Sequence, residues 1–171
     1  MYRQFCATLL LMLAPISVLP AQEGTPAPPQ RGPAAKKFDQ VLVEFKKLVA
    51  EMQVLFAEYR TTEEPQRKEE IEKQWAKLTK QGDALEPQLI EAAEKSFLEA
   101  PNADNKITNL LMSVLENRVR TDDYEAALRL GKLLVENKCQ DLRSLNFTGI
   151  AAFAVGDFDT ARDLLKQAHK Q

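Results

Sequence analysis

One histidine, His169, and two cysteines, Cys6 and Cys139, are all the imidazole and thiol that the 171 residues contain. A transition-metal site needs several such ligands at close spacing, so none is assigned. Only six glycines occur, and none forms a phosphate-cradling run or a glycine-serine-glycine elbow. The net charge is −2, with no basic excess to collect phosphates, which argues against a nucleic-acid partner. Aromatic residues make up 7% of the chain, and no β-branched run reaches strand length. Catalytic pairings are missing too. No nucleophile has a companion base in sequence, and the adjacent acids Glu69-Glu70 and Asp122-Asp123 would point in different directions on a helix. They read as a solvated surface and a helix cap. No catalytic residue, cofactor or metal is therefore assigned.

What the chain does have is helix-forming composition. It is 44% hydrophobic and 28% charged, and from residue 38 onward it is rich in Ala, Leu, Glu, Lys and Gln. The fold class this predicts is all-α. Residues 1–21 precede that region and read as a Sec-type signal peptide. Arg3 supplies the positive charge, Phe5 to Leu13 the apolar core, and Ala21 a small residue before cleavage. The apolar run is too short to cross about 30 Å of hydrocarbon, and Cys6 lies too early for lipid attachment. The expected location is periplasmic or secreted, with no membrane span after cleavage. Cleavage would leave Cys139 as the lone thiol, unable to form an intrachain disulfide. Residues 22–37 hold four prolines and read as an extended linker with no helix.

Residues 38–81 predict a long helical hairpin. Apolar residues fall at 38, 41, 45, 48, 52, 55 and 59, a heptad stripe widened by Leu42, Val49 and Phe56. The stripe favours packing against a neighbouring helix of the same chain, with a homodimeric coiled coil as the rival reading. Thr61 to Pro65 breaks the first helix, and a second runs from Pro65 to about Lys80. Ile71, Trp75 and Leu78 share its apolar face, so Trp75 is expected in the seam. Gly82-Asp83 predicts a turn. A third helix then reaches Glu99, with Pro87 in its first turn, and four more follow at about 103–120, 123–137, 142–155 and 158–170. The total is about seven helices.

The last four carry an internal echo. Asp122-Asp123-Tyr124-Glu125-Ala126-Ala127 returns 34 residues later as Gly156-Asp157-Phe158-Asp159-Thr160-Ala161, and Leu111 returns as Leu145. Such a period marks a two-helix repeat. Asp122 with Glu125 has the spacing of a capping box, and Asp157 takes the equivalent place. The positions Leu145, Gly149, Ala152, Gly156, Phe158, Ala161, Leu165 and Ala168 resemble the signature of the tetratricopeptide repeat. The departures are Leu145 for the family's tryptophan, Thr148 for its leucine and Ala152 for its tyrosine. The resemblance covers about 64 residues. It implies antiparallel helical hairpins in a solenoid over 82–171, degenerate at 82–107 and clearer at 108–141 and 142–171. It also implies that Gly149 and Ala152 allow close helix approach, and that Tyr124 and Phe158 wedge into the hairpin turns.

Solenoids of this kind bind through the first helix of each repeat. Carried across by position, the resemblance implies a protein- or peptide-binding face of Asn109, Met112, Glu116, Val119 and Arg120, with Arg143, Asn146, Ile150 and Phe153. Signal, proline-rich linker, heptad hairpin and degenerate repeats together resemble the region preceding the catalytic domain in some exported bacterial cyclophilin-type peptidyl-prolyl isomerases. That domain's arginine-phenylalanine-glutamine framework is not in these residues. The resemblance implies a non-catalytic interaction module in protein folding, completed by a following domain or a second copy of the chain. A stand-alone periplasmic adaptor is the alternative.

Overall fold

The computed structural model describes residues 32–139 and 141–170. The signal-like segment and linker residues 22–31 lie outside them. Among the described residues the chain is all-α, with six helices: α1 (Pro33–Thr61), α2 (Pro65–Glu99), α3 (Asn105–Arg120), α4 (Tyr124–Glu136), α5 (Arg143–Ala154) and α6 (Phe158–His169). The chain divides into two compact units between Ala92 and Ala93, inside α2.

The first unit is built on the heptad stripe of α1. Phe38, Val41, Phe45, Leu48, Val49 and Met52 are all buried. Leu48 and Met52 form a core with Leu78 of α2, and Leu55, Trp75 and Leu85 pack against it. Trp75 thus lies in the seam, as its spacing predicts. Towards the end of α1 the stripe is less covered, with Phe56 and Tyr59 exposed. The corner between the helices is tied by charge. Arg67 forks onto both carboxylate oxygens of Glu58 at 2.7 and 2.9 Å and also reaches Glu70 at 2.9 Å. The Tyr59 hydroxyl donates to Glu72 at 3.0 Å.

Two expectations fail in this unit. Helix α1 starts at Pro33, so residues 33–37 of the supposed linker are helical, and Ala35 is buried. Proline at the first helical position gives up only an N–H that has no intrahelical acceptor. The second and third helices are one: α2 runs 35 residues without a turn at Gly82-Asp83, and Pro87 lies inside it. Six helices replace seven for this reason. The apolar stripe explains the continuity, because Ile71, Trp75, Leu78, Gly82, Leu85, Leu89 and Ala92 keep unbroken three-four spacing through the supposed break. Gly82 also faces α1, where an added Cβ would lie 3.6 Å from Leu48 Cδ2. Packing along the whole stripe outweighs the roughly 1 kcal/mol that a helical glycine costs, together with the hydrogen bond that Pro87 removes.

The second unit holds the end of α2 and the four short helices. Asp104 caps α3 by accepting from the Lys106 amide at 2.8 Å. Helices α3, α4 and α5 all end in the same way. A left-handed residue (Asp122, Lys138 or Gly156) follows the last turn. The next amide then donates back to the third-last helical carbonyl: Asp123 to Arg118, Cys139 to Leu134 and Asp157 to Ala152, each at 2.9 Å. Short links fold α4 onto α3 and α6 onto α5, and α5 packs on both α3 and α4. Leu111, Leu115, Ala127, Leu130 and Leu134 are fully buried between them.

The 34-residue echo reappears in these boundaries. Helices end at Arg120 and Ala154, left-handed residues stand at Asp122 and Gly156, and helices begin at Tyr124 and Phe158. The capping expectation divides. Asp157 caps α6, accepting from the Thr160 amide at 3.3 Å. Asp123 precedes α4 without a side-chain cap, and Asp122 accepts from the Tyr124 hydroxyl instead of forming a capping box. The left-handed backbone of Asp122 places it outside the helix start, where a capping carboxylate cannot serve.

Candidate functional site

Helices α3 and α5 lie side by side, and their outward residues form the candidate binding face. Asn109, Arg120, Arg143 and Asn146 are exposed, while Glu116 and Val119 are partly so. Met112 is only 1% exposed and belongs to the core, so the peptide-facing role implied for it fails. Its turn of α3 faces inward between Leu111 and Leu115, which are also buried.

The charged members are held in place. Arg120 pairs with Glu116 one turn back on α3. Arg143 closes a fork on Asp141, with Nε 3.0 Å from one carboxylate oxygen and Nη2 2.6 Å from the other. The Asp141 hydrogen bond is the main reason that the Arg143 guanidinium holds its proton more tightly than usual, and the charge of Glu116 on α3 adds to it. Arg143 likewise holds the Asp141 carboxyl below its ordinary range. Glu116, Arg120, Asp141 and Arg143 therefore make a patch of alternating sign, flanked by Asn109 and Asn146. Paired guanidinium groups beside exposed amide side chains suit the backbone and side chains of an extended or helical peptide.

The rest of the implied set behaves differently. Ile150 is 42% exposed and Phe153 62%, so both are open. Phe158, expected as a wedge, is also 62% exposed. Its ring meets Phe153 edge-on, with centroids 5.5 Å apart. The physical reason is local: Phe153, on the last turn of α5, is itself at the surface and offers one ring rather than an enclosing pocket. Tyr124, its counterpart, is partly buried and tied to Asp122, and that hydrogen bond raises the pKa of its phenol. Sequence reasoning missed this aromatic pair because it placed Phe158 by the family's pattern. The five-residue spacing across the Gly156 turn was the available signal.

The positions with reactive potential are quiet. Cys139 is half-buried, and burial pushes its thiol up, which disfavours the nucleophilic thiolate. Ser144 is buried, and its hydroxyl has no hydrogen-bond partner of good geometry; its proximity to Cys139 has a smaller, opposite effect on the thiol. Among the described residues no group of three or more His, Cys, Asp or Glu side chains could hold a metal ion. None of the described helices is long and apolar enough to cross a membrane.

Two glycines set the helix crossings under the face. A Cβ on Gly131 of α4 would lie 2.8 Å from Thr148 Cβ of α5, and closer still to its hydroxyl. A Cβ on Gly149 of α5 would lie 2.8 Å from Leu165 of α6. The second matches the close approach expected at Gly149; the first was not foreseen. Comparison with known proteins adds no relative: no family model matches the chain, and no curated protein or solved structure matches it significantly.

Proposed function

We propose that this chain is an exported, non-catalytic, tetratricopeptide-repeat-like module that holds a protein or peptide on the face made by α3 and α5. The observation that carries the reading is the 34-residue recurrence of helix ends, left-handed turn residues and helix starts across the two hairpins. Such a recurrence stacks equivalent helices side by side, which is how helical repeats build a binding face. Asn109, Glu116, Arg120, Arg143 and Asn146 are the contact residues. Export rests on the sequence of residues 1–21, which lie outside the described residues. The layout further supports a place at the front of a periplasmic cyclophilin-type peptidyl-prolyl isomerase, where the module would deliver or retain polypeptide for a neighbouring catalytic domain. The second reading is a stand-alone periplasmic adaptor, favoured by a face that is complete within the second unit.

The test is binding of a permanently unfolded model polypeptide to the full chain, followed by fluorescence anisotropy. Arg120→Glu with Arg143→Glu should weaken binding about tenfold or more, because two fixed donors become acceptors. Unaltered binding in that variant, with the helical signal intact, would remove the proposed face. A proline tetrapeptide assay should show no acceleration by these residues, and acceleration would overturn the non-catalytic assignment.

A further inference from the structure

The α5/α6 hairpin of the second unit carries an exposed apolar surface. Ile150 and Phe153 lie on it from α5, and Phe158 and Leu165 from α6. The two phenylalanine rings touch, and Leu165 rests on Gly149. One repeat earlier the counterpart of Leu165 is covered: Gly131 stands 34 residues before it, and Thr148 of α5 lies directly on it. The counterparts of Ile150, Phe153 and Phe158 are Glu116, Val119 and Tyr124, which are only partly exposed. Leu165 in place of a glycine closes this face to another helix at the same short distance.

We propose that a second copy of this chain covers this face, in a two-fold dimer with the α6 helices antiparallel. One observation favours a copy over a foreign protein: charge is ordered along α6. Asp159 and Asp163 lie in its first half, Lys166 and Lys170 at its end, and Arg162 sits between the two acids and bonds both. Antiparallel pairing sets the acidic half of each helix against the basic half of the other, twice over. The helix dipoles are opposed in the same favourable sense.

The dimer shares the outward row of α5 with the peptide face: it takes Ile150 and Phe153 from the implied peptide-facing set and leaves Asn109, Glu116, Arg120, Arg143 and Asn146 to that role. Analytical ultracentrifugation of the full chain at about 50 µM, well above a micromolar dissociation constant, should give twice the 19.3 kDa monomer mass. Phe158→Glu and Phe153→Glu should each give a monomer that keeps its helical signal and whose melting temperature no longer depends on protein concentration. Asp159→Lys with Asp163→Lys should weaken the dimer about tenfold at low salt, as should Lys166→Glu with Lys170→Glu, and mixing the two charge-reversed proteins should restore it. A monomeric wild type overturns the proposal and leaves the face to another protein. So does a dimer that survives Phe158→Glu, or a mixture that does not reassociate. Arg120→Glu with Arg143→Glu should leave the dimer intact, so loss of peptide binding and loss of dimer are read separately.

Discussion

The hairpins α3/α4 and α5/α6 keep the same turn and differ in what surrounds it. The turn is kept in backbone terms: a helix end, a left-handed residue, a returning amide and a helix start at matching positions. The side chains diverge. Leu111, Ala127 and Leu130 are completely buried, whereas their counterparts Leu145, Ala161 and Leu164 retain between 2 and 9% exposure. The earlier hairpin has Leu115 and Gly131, and the later one Gly149 and Leu165, so the close-contact glycine moves from the second helix to the first. Repeat identity here resides in the chain reversal, and each hairpin meets its own packing demand with its own pair of large and small residues.

That contrast can be broken from its strongest point downward. Leu111→Ala should cost about 4 kcal/mol in chemical denaturation, and Leu145→Ala about 2, because the later site is nearer solvent and can relax. Equal costs would mean that the two hairpins are equally enclosed. Gly131→Ala should cost about 2–3 kcal/mol, since the obstructing Thr148 is buried, β-branched and bonded to the Ser144 carbonyl. Gly149→Ala should cost about 1 kcal/mol, because the obstructing Leu165 is 38% exposed and can swing outward. At the turns, Gly156→Ala should cost about 1 kcal/mol by backbone strain alone, as nothing lies within 4 Å of its missing Cβ. Asp122→Gly should change stability by less than about 0.5 kcal/mol, since relief at its left-handed position is offset by loss of the Tyr124 hydrogen bond.

The smallest expected effect is electrostatic. The Thr160 hydroxyl and amide, and after them the Lys132 ammonium, hold the Asp157 carboxyl below its ordinary range. Its folded pKa lies below the unfolded one, so its stabilising contribution is present above the ordinary carboxylate range and fades as pH falls through the folded pKa. Asp157→Asn should flatten the acid limb of a pH–stability profile slightly, with no change near neutrality in its slope. An unchanged acid limb would show that the cap makes no measurable contribution.

Periodicity made much of this legible. The α1 stripe, the seam position of Trp75, the all-α class and the echo are all visible as spacing, because burial on one helix face leaves a three-four pattern. Local breakers were less informative. Gly82, Asp83 and Pro87 look like a turn in isolation, yet an apolar stripe that continues past them keeps α2 intact. Pro33 similarly reads as linker until its place at a helix start is known. The candidate face was only partly legible. Met112 and Phe158 occupy family positions, but exposure depends on which neighbours cover them, and the close approach of Gly131 to Thr148 joins residues from different helices with no shared local pattern.

That approach has an evolutionary consequence. With Thr148 in place, position 131 accepts no side chain without displacement, and with glycine at 131, a smaller residue at 148 leaves a void. The two sites are epistatic. Gly131→Ala should be far better tolerated after Thr148→Gly than before it, so a lineage of such chains would exchange bulk between them in one permitted order rather than drift at each site alone.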